Sequence, residues 1–186
     1  MRLYALCDYD MLEKHTLTLE AFIERAKEHK AEIIQYRAKN ADIAFIKHQL
    51  IQIRKIYDGF LIVNDAYELV EFCDGVHVGQ EDLREIDKNP KKAVDILRSV
   101  IGRDKILGIS THNEKEVLEA NTMDLNYIGL GAYRNTTTKD DISTVLGEKL
   151  DEIAKKSIHY VAAIGGVRLD DNFKNVTYHV IGSGLL

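Results

Sequence analysis

The stretch GVHVGQED, residues 75–82, opens as an inner strand and then departs from one. Gly75, Val76, His77 and Val78 suit a short buried strand, but the chain runs on into Gly79, Gln80, Glu81 and Asp82. Turns draw mainly on Gly, Pro, Asn, Asp and Ser. An imidazole inside the strand, with an amide and two carboxylates at its exit, asks for a further reason.

The pattern recurs along the chain. RLYALCD, EIIQYR, FLIVND, KILGIS, NYIGLG, HYVAAIGG and TYHVIGSG are seven more short apolar runs, each bounded by Gly or polar residues. Most are separated by helical segments. In DIAFIKHQLIQIRKIY the apolar positions Ile43, Ile46, Leu50, Ile53 and Tyr57 fall on one helical face. In HNEKEVLEA, Asn113 and Glu116 have the spacing of a capping box. Eight nearly continuous apolar strands alternating with helices imply a parallel sheet covered by helices. An open doubly wound sheet and a closed barrel both fit this order. Polar or Gly chemistry closes every strand: Asp8, Gln35 to Arg37, Asn64-Asp65, His77 to Asp82, Ser110 to His112, a Thr-rich loop, Gly165-Gly166 and Gly182 to Gly184. A closed barrel collects all eight ends on one ring, so the sequence predicts a TIM (β/α)8 barrel.

The 186 residues suit a single α/β-barrel domain, 1–186. Such barrels usually need about 200 residues or more, and the sequence stops just past the last strand. It therefore predicts a barrel trimmed at its C-terminus, with the eighth helix missing and a minimal helix around LDDNFKN, residues 169–175. An exposed apolar flank is expected near the seam, covered by a second copy in a homodimer or by nothing.

A formal charge of −5 argues against nonspecific nucleic-acid binding, which needs a basic footprint. No apolar run reaches the roughly 18–20 residues that cross a bilayer, and no signal peptide is expected at the N-terminus. Cys7 and Cys73 read as reduced, buried thiols, and a cytoplasmic location is expected.

Asp65 and Asp82 end consecutive strands. Neighbouring strands lie about 4.8 Å apart, so the two carboxylates can reach a common point and share a hard cation such as Mg²⁺. Spacing equally allows both to cap the helices that follow. Arg37 and Lys39 alternate at the end of strand two, as a phosphate grip or as a solvated rim pair. Thr136, Thr137, Thr138 and Lys139 offer hydroxyls and a cation, and the Gly turns of AIGG and IGSG offer bare amides to an anion. His77 and His112 stand at the same polar rim, as site residues or as satisfied core histidines.

On these stretches the chain resembles the thiamine phosphate synthase family and its relatives, the thiazole tautomerases. The resemblance rests on Gln35, Arg37 and Lys39 as Gln-x-Arg-x-Lys, on Asn64-Asp65, on GVHVGQED and GISTH, on Thr136, Thr138 and Lys139 in IGLGAYRNTTTK, and on AIGG. It implies a transferase of thiamine biosynthesis that couples a pyrimidine-methyl diphosphate to a thiazole phosphate and releases pyrophosphate. It further implies Mg²⁺ on Asp65 and Asp82, with Arg37, Lys39, Asn64 and Lys139 around the diphosphate. Gln35 and His77 would contact the pyrimidine. Ser110, Thr136, Thr138, Gly165, Gly166 and Ser183 would hold the thiazole phosphate. The tautomerase branch, with His112 moving protons, is the alternative; a non-catalytic phosphate-binding barrel is a third reading. Arg134-Asn135 replaces the family's usual aromatic-Pro, Ala38 replaces a common acid, and the short C-terminus predicts weaker thiazole phosphate binding.

Overall fold

The computed structural model describes residues 2–135 and 145–186. Eight parallel strands close into a barrel in sequence order: β1 (Arg2–Asp8), β2 (Ile33–Arg37), β3 (Phe60–Asn64), β4 (Gly75–Val78), β5 (Ile106–Thr111), β6 (Tyr127–Leu130), β7 (Tyr160–Ala163) and β8 (Tyr178–Ile181). β8 pairs with β1, Tyr4 opposite Val180, which leaves no open edge. The helices are α1 (Tyr9–Lys14), α2 (Leu19–Glu28), α3 (Ile43–Ile56), α4 (Gln80–Ile86), α5 (Pro90–Ile101), α6 (Glu114–Ala120) and α7 (Lys149–Ala154), with a 3₁₀ turn at Tyr67–Phe72.

Strand alternation divides the apolar residues into two cores. One set, including Ile34, Leu61, Val76, Leu107 and Ile128, packs outward against Phe22, Leu50, Leu97 and other helix residues. The second, Tyr4, Leu6, Ile33, Ile62, Tyr127, Ala162, Tyr178 and Val180, fills the barrel itself. At the N-terminal end of the strands Arg2 lies 4.5 Å from the centre of the Tyr178 ring and pairs with Glu32, while Tyr178 meets Tyr4 edge to face. This floor is packed with side chains. The other end carries the polar strand exits.

Most helix starts are written locally. Asp8, Thr18, Asp42, Asn89 and Asn113 each accept a backbone N–H three residues on, and Pro90 follows Asn89 in the first helical turn. Asn113 Oδ1 accepts from Glu116 N at 2.9 Å, as its spacing predicts. The return bond goes one residue earlier than in a full capping box, from His112 N to Glu116 Oε2 at 2.8 Å.

Two expectations about the seam need correction. No helix forms between β7 and β8. The Asp-Asn-rich segment instead gives its backbone donors to carboxylates: Arg168 N to Asp171, and Lys174 N and Asn175 N to Asp151. Side chains that bond nearby backbone compete with helix, and here they win. Nor is the seam an exposed apolar flank. The outward residues of β8, His179 and Ile181, are 4% and 1% exposed. Phe173 covers His179 at 5.1 Å between ring centres, and the closing 3₁₀ turn Ser183–Leu185 buries Leu185 beside α2. The large exposed apolar side chains lie off this outer face of β8, as at Val100 on α5 and at Ile158 and Tyr160 where β7 begins.

Candidate active site

The interior positions run in steps of two up each strand, so register decides what meets at the mouth. In β2 Gln35 stands one step below Arg37, and both share the parity of Ile33 inside the barrel. Arg37 is the register partner of Asp8 and forms an ion pair with it. Asp8 is 4% exposed; it caps α1 with Oδ1, accepting from Met11 N at 3.1 Å, and its Oδ2 accepts from Arg37 Nη1. Asp8 thus fixes the guanidinium at the rim.

Asn64 and His77 are register partners across β3 and β4. Asn64 Nδ2 donates to Asp65 Oδ2, Asp65 Oδ1 accepts from Gly79 N at 3.0 Å, and Asp65 N donates to His77 O at 2.8 Å. Asp65 holds a left-handed φ of 60°, which Asp tolerates better than most residues. Asp82 reaches the same place from the first turn of α4. A Cβ on Gly79 would stand 3.1 Å from Asp82 Oδ2 and 3.9 Å from Asp65 Oδ1, so both carboxylates converge on a backbone without a side chain. Neither acid caps the helix that follows it: the cap positions are Ala66 and Gly79, and neither helix start has a side-chain cap bond. Asp65 ties down the β4–α4 turn, and Asp65 Oδ1 and Asp82 Oδ2 flank the same side-chain-free position, oxygen donors of the kind that suits a hard divalent cation.

Below the rim lies a polar chain that sequence reasoning missed. His77 Nε2 is 3.0 Å from Ser110 Oγ, and His77 Nδ1 is 2.9 Å from Tyr127 OH. Tyr127 OH is 2.8 Å from Tyr4 OH, to which Gln35 Nε2 donates at 2.6 Å. All five residues are buried. Burial pushes both tyrosine hydroxyls above their ordinary range, so they remain protonated at neutral pH. Ser110 also accepts, through its carbonyl, from Gln80 Nε2 at 2.6 Å. The chain unites Gln35, His77 and Ser110, so the hydroxyl expected at the thiazole phosphate sits beside the histidine expected at the pyrimidine.

His112 stands apart from that chain. Its Nδ1 is 3.0 Å from Glu116 Oε2, at the start of α6. Desolvation would raise the Glu116 carboxyl, but hydrogen bonds from the His112 ring and backbone and from Asn113 outweigh it and hold it below the ordinary range.

Gly165 and Gly166 follow β7 with φ of 84° and 69°. The segment after β6 runs beside them: Tyr133 N donates to Ile164 O at 2.9 Å and Arg134 N to Gly165 O at 2.8 Å. Arg134 then grips Asp171 with both guanidinium ends at 2.6 Å and donates to Gly166 O at 2.7 Å. Lys39 and Ser183 are exposed near their strand ends. Thr136, Thr137, Thr138 and Lys139 lie outside the described residues.

Of the residues sequence reasoning missed, Asp8 carried the best signal, as a carboxylate closing a strand at the same level as Arg37. Tyr4 and Tyr127 gave none beyond their interior parity.

Comparison with known proteins adds an independent line. A family model described as thiamine monophosphate synthase matches residues 3–182. The thiamine-phosphate synthase of Persephonella marina is 36% identical over 182 residues, covering 95% of this chain and 80% of that protein. That of Methanobrevibacter smithii is 38% identical over 150 residues, 78% of this chain and 68% of that protein. Among solved structures, the thiamine phosphate pyrophosphorylase from Pyrococcus furiosus superposes with a TM-score of 0.75 at 24% identity, covering 98% of this chain and 85% of that one. A tryptophan synthase structure from the same organism reaches 0.65 at 10% identity, a likeness of fold alone.

Proposed function

The chain belongs to the thiamine monophosphate synthase family, and we propose that it is a transferase joining a pyrimidine-methyl diphosphate to a thiazole phosphate with release of pyrophosphate. The observation that carries this reading is the convergence of Asp65 and Asp82 on Gly79, on the same barrel face as the Asp8-anchored guanidinium of Arg37.

In this reaction the bond between the pyrimidine methylene carbon and the diphosphate oxygen breaks, leaving positive charge on the methylene and negative charge on the diphosphate. The thiazole ring nitrogen then bonds the methylene carbon. No protein nucleophile is required. What the protein supplies is fixed charge aimed at the leaving group, and such preorganised groups are each worth on the order of 10²–10³ in rate. Arg37, held by Asp8, would supply charge and Asn64, held against Asp65, an N–H dipole. Lys39 adds a cation at the rim, and the family resemblance assigns the same role to Lys139.

Asp65 and Asp82 would hold Mg²⁺, which when bound offsets the charge of the diphosphate oxygens. Gln35 and His77 sit one layer deeper, where a pyrimidine would rest with its diphosphate toward the rim. The Gly165-Gly166 turn leaves backbone without side chains at the end of β7, where a thiazole phosphate would lie across the mouth. The tautomerase alternative is not favoured: the curated relatives reported above are synthases.

The test follows product from both substrates with Mg²⁺ and with a chelator. Asp65→Asn, which tolerates the left-handed backbone, and Asp82→Asn should each lower the rate on the order of 10²–10³. Undiminished product in chelator would overturn the metal assignment. Product formation lost in His112→Ala but kept in Asp65→Asn would overturn the synthase reading.

A further inference from the structure

The buried chain from Gln35 to Ser110 has a direction, and that direction sets the chemistry of the histidine within it. An amide nitrogen only donates, so at 2.6 Å the Tyr4 oxygen accepts from Gln35 Nε2. The single proton of Tyr4 then goes to Tyr127 OH, 2.8 Å away, and the single proton of Tyr127 to His77 Nδ1, 2.9 Å away. With Nδ1 accepting, the neutral ring carries its proton on Nε2 and donates it to Ser110 Oγ at 3.0 Å. Run the other way, the chain would leave Tyr4 accepting twice, with its own proton unplaced at a site 1% exposed.

We propose that Tyr127 and Tyr4 are positioning residues that lock His77 in its Nε2–H tautomer, leaving the Ser110 hydroxyl to donate its own proton to the ligand in the mouth. Neighbouring strands are cut to fit this arrangement. A Cβ on Gly108 would lie 2.2 Å from Cζ of Tyr127, and one on Gly129 would lie 3.1 Å from Cε1 of His77. The His77 and Tyr127 rings stack at 28° between planes, 5.5 Å between centres, so the imidazole turns only if the phenol moves. Second-layer hydrogen bonds of this kind decide which ring nitrogen of a histidine carries the proton.

The kinetic half of the test rests on the synthase reading; the spectroscopic half does not. Nitrogen-15 NMR of histidine-labelled wild-type protein, with His77→Gln to assign the signal, should show His77 as the Nε2–H tautomer alone. Tyr127→Phe removes the donor to Nδ1 and should give a mixture of both tautomers. Tyr4→Phe interrupts the chain one link earlier and should do the same, so a folding failure in one variant leaves the other to decide. In turnover, Tyr127→Phe should lower kcat about 10-fold with KM for the pyrimidine diphosphate within about twofold of wild type. Combined with Ser110→Ala it should add little to the loss caused by Ser110→Ala alone. An Nδ1–H tautomer in the wild type, or a tautomer unchanged in both Phe variants, overturns the proposal whether or not the protein proves to be a synthase. Fully additive kinetic losses overturn the link to Ser110.

Discussion

Asp8 serves α1 and Arg37 at once, and its Asn variant separates the two roles. Asn keeps the cap on Met11 N but removes the charge opposite a guanidinium whose side chain is only 14% exposed. Leaving one member of a buried pair unmatched should cost on the order of 3 kcal/mol in chemical denaturation. Asp8→Asn/Arg37→Met should recover most of that stability while remaining inactive. Titration supplies a second prediction at this scale. Hydrogen bonds hold Glu116 and Asp171 below their ordinary values of 4.5 and 3.8, so the stability they contribute is present above those values and lost as pH falls through the depressed ones. His179 is a buried base held, mainly by desolvation, below its ordinary 6.5. The unfolded chain therefore takes up its proton first, and stability begins to fall as pH drops below 6.5. Denaturation midpoints of the wild type should decline in two stages on acidification. His179→Gln should flatten the first stage and Glu116→Gln should reduce the second.

Between elements, the contact that distinguishes this chain joins the segment after β6 to the one after β7. Arg134 binds Asp171 and Gly166 O across that gap and stacks 4.3 Å from the centre of the Tyr133 ring. Arg134→Met should loosen the Gly165-Gly166 turn and raise KM for the thiazole phosphate about 10-fold, leaving KM for the diphosphate substrate unchanged; steady-state kinetics with each substrate varied will show it. Sequence reading named Arg134 as a departure from the family pattern but had no means of finding Asp171, 37 residues away, as its partner. The strands and most caps were legible because their causes are local: apolar runs, Asx and Thr at helix starts, and polar strand ends. The helix expected around LDDNFKN failed because the carboxylates of Asp151 and Asp171, placed there by tertiary structure, capture that segment's donors. Tyr4 and Tyr127 stayed hidden for a related reason. Tyrosine in a strand reads as ordinary β-propensity, and only barrel closure brings residues 123 apart in sequence to 2.8 Å.

For the molecule as a whole, closure rests on β8 returning to β1 with no eighth helix in the sequence given. Leu185 does part of that work, 3% exposed beside α2, where Arg25 also holds its carbonyl at 3.2 Å. Leu185→Ala should cost about 2–5 kcal/mol of stability, read by denaturation. Closure was legible in the sequence because every strand ended in polar or Gly chemistry; the sealing of the seam was not, since it depends on Phe173 and Leu185 folding back from loops without periodicity. Among the described residues, the tyrosine- and arginine-packed floor closes the N-terminal end of the barrel and leaves the polar end as the way in. On the seating proposed above, a pyrimidine on Gln35 would lie beneath its own diphosphate, and the joined product would follow only after the pyrophosphate had cleared the threshold.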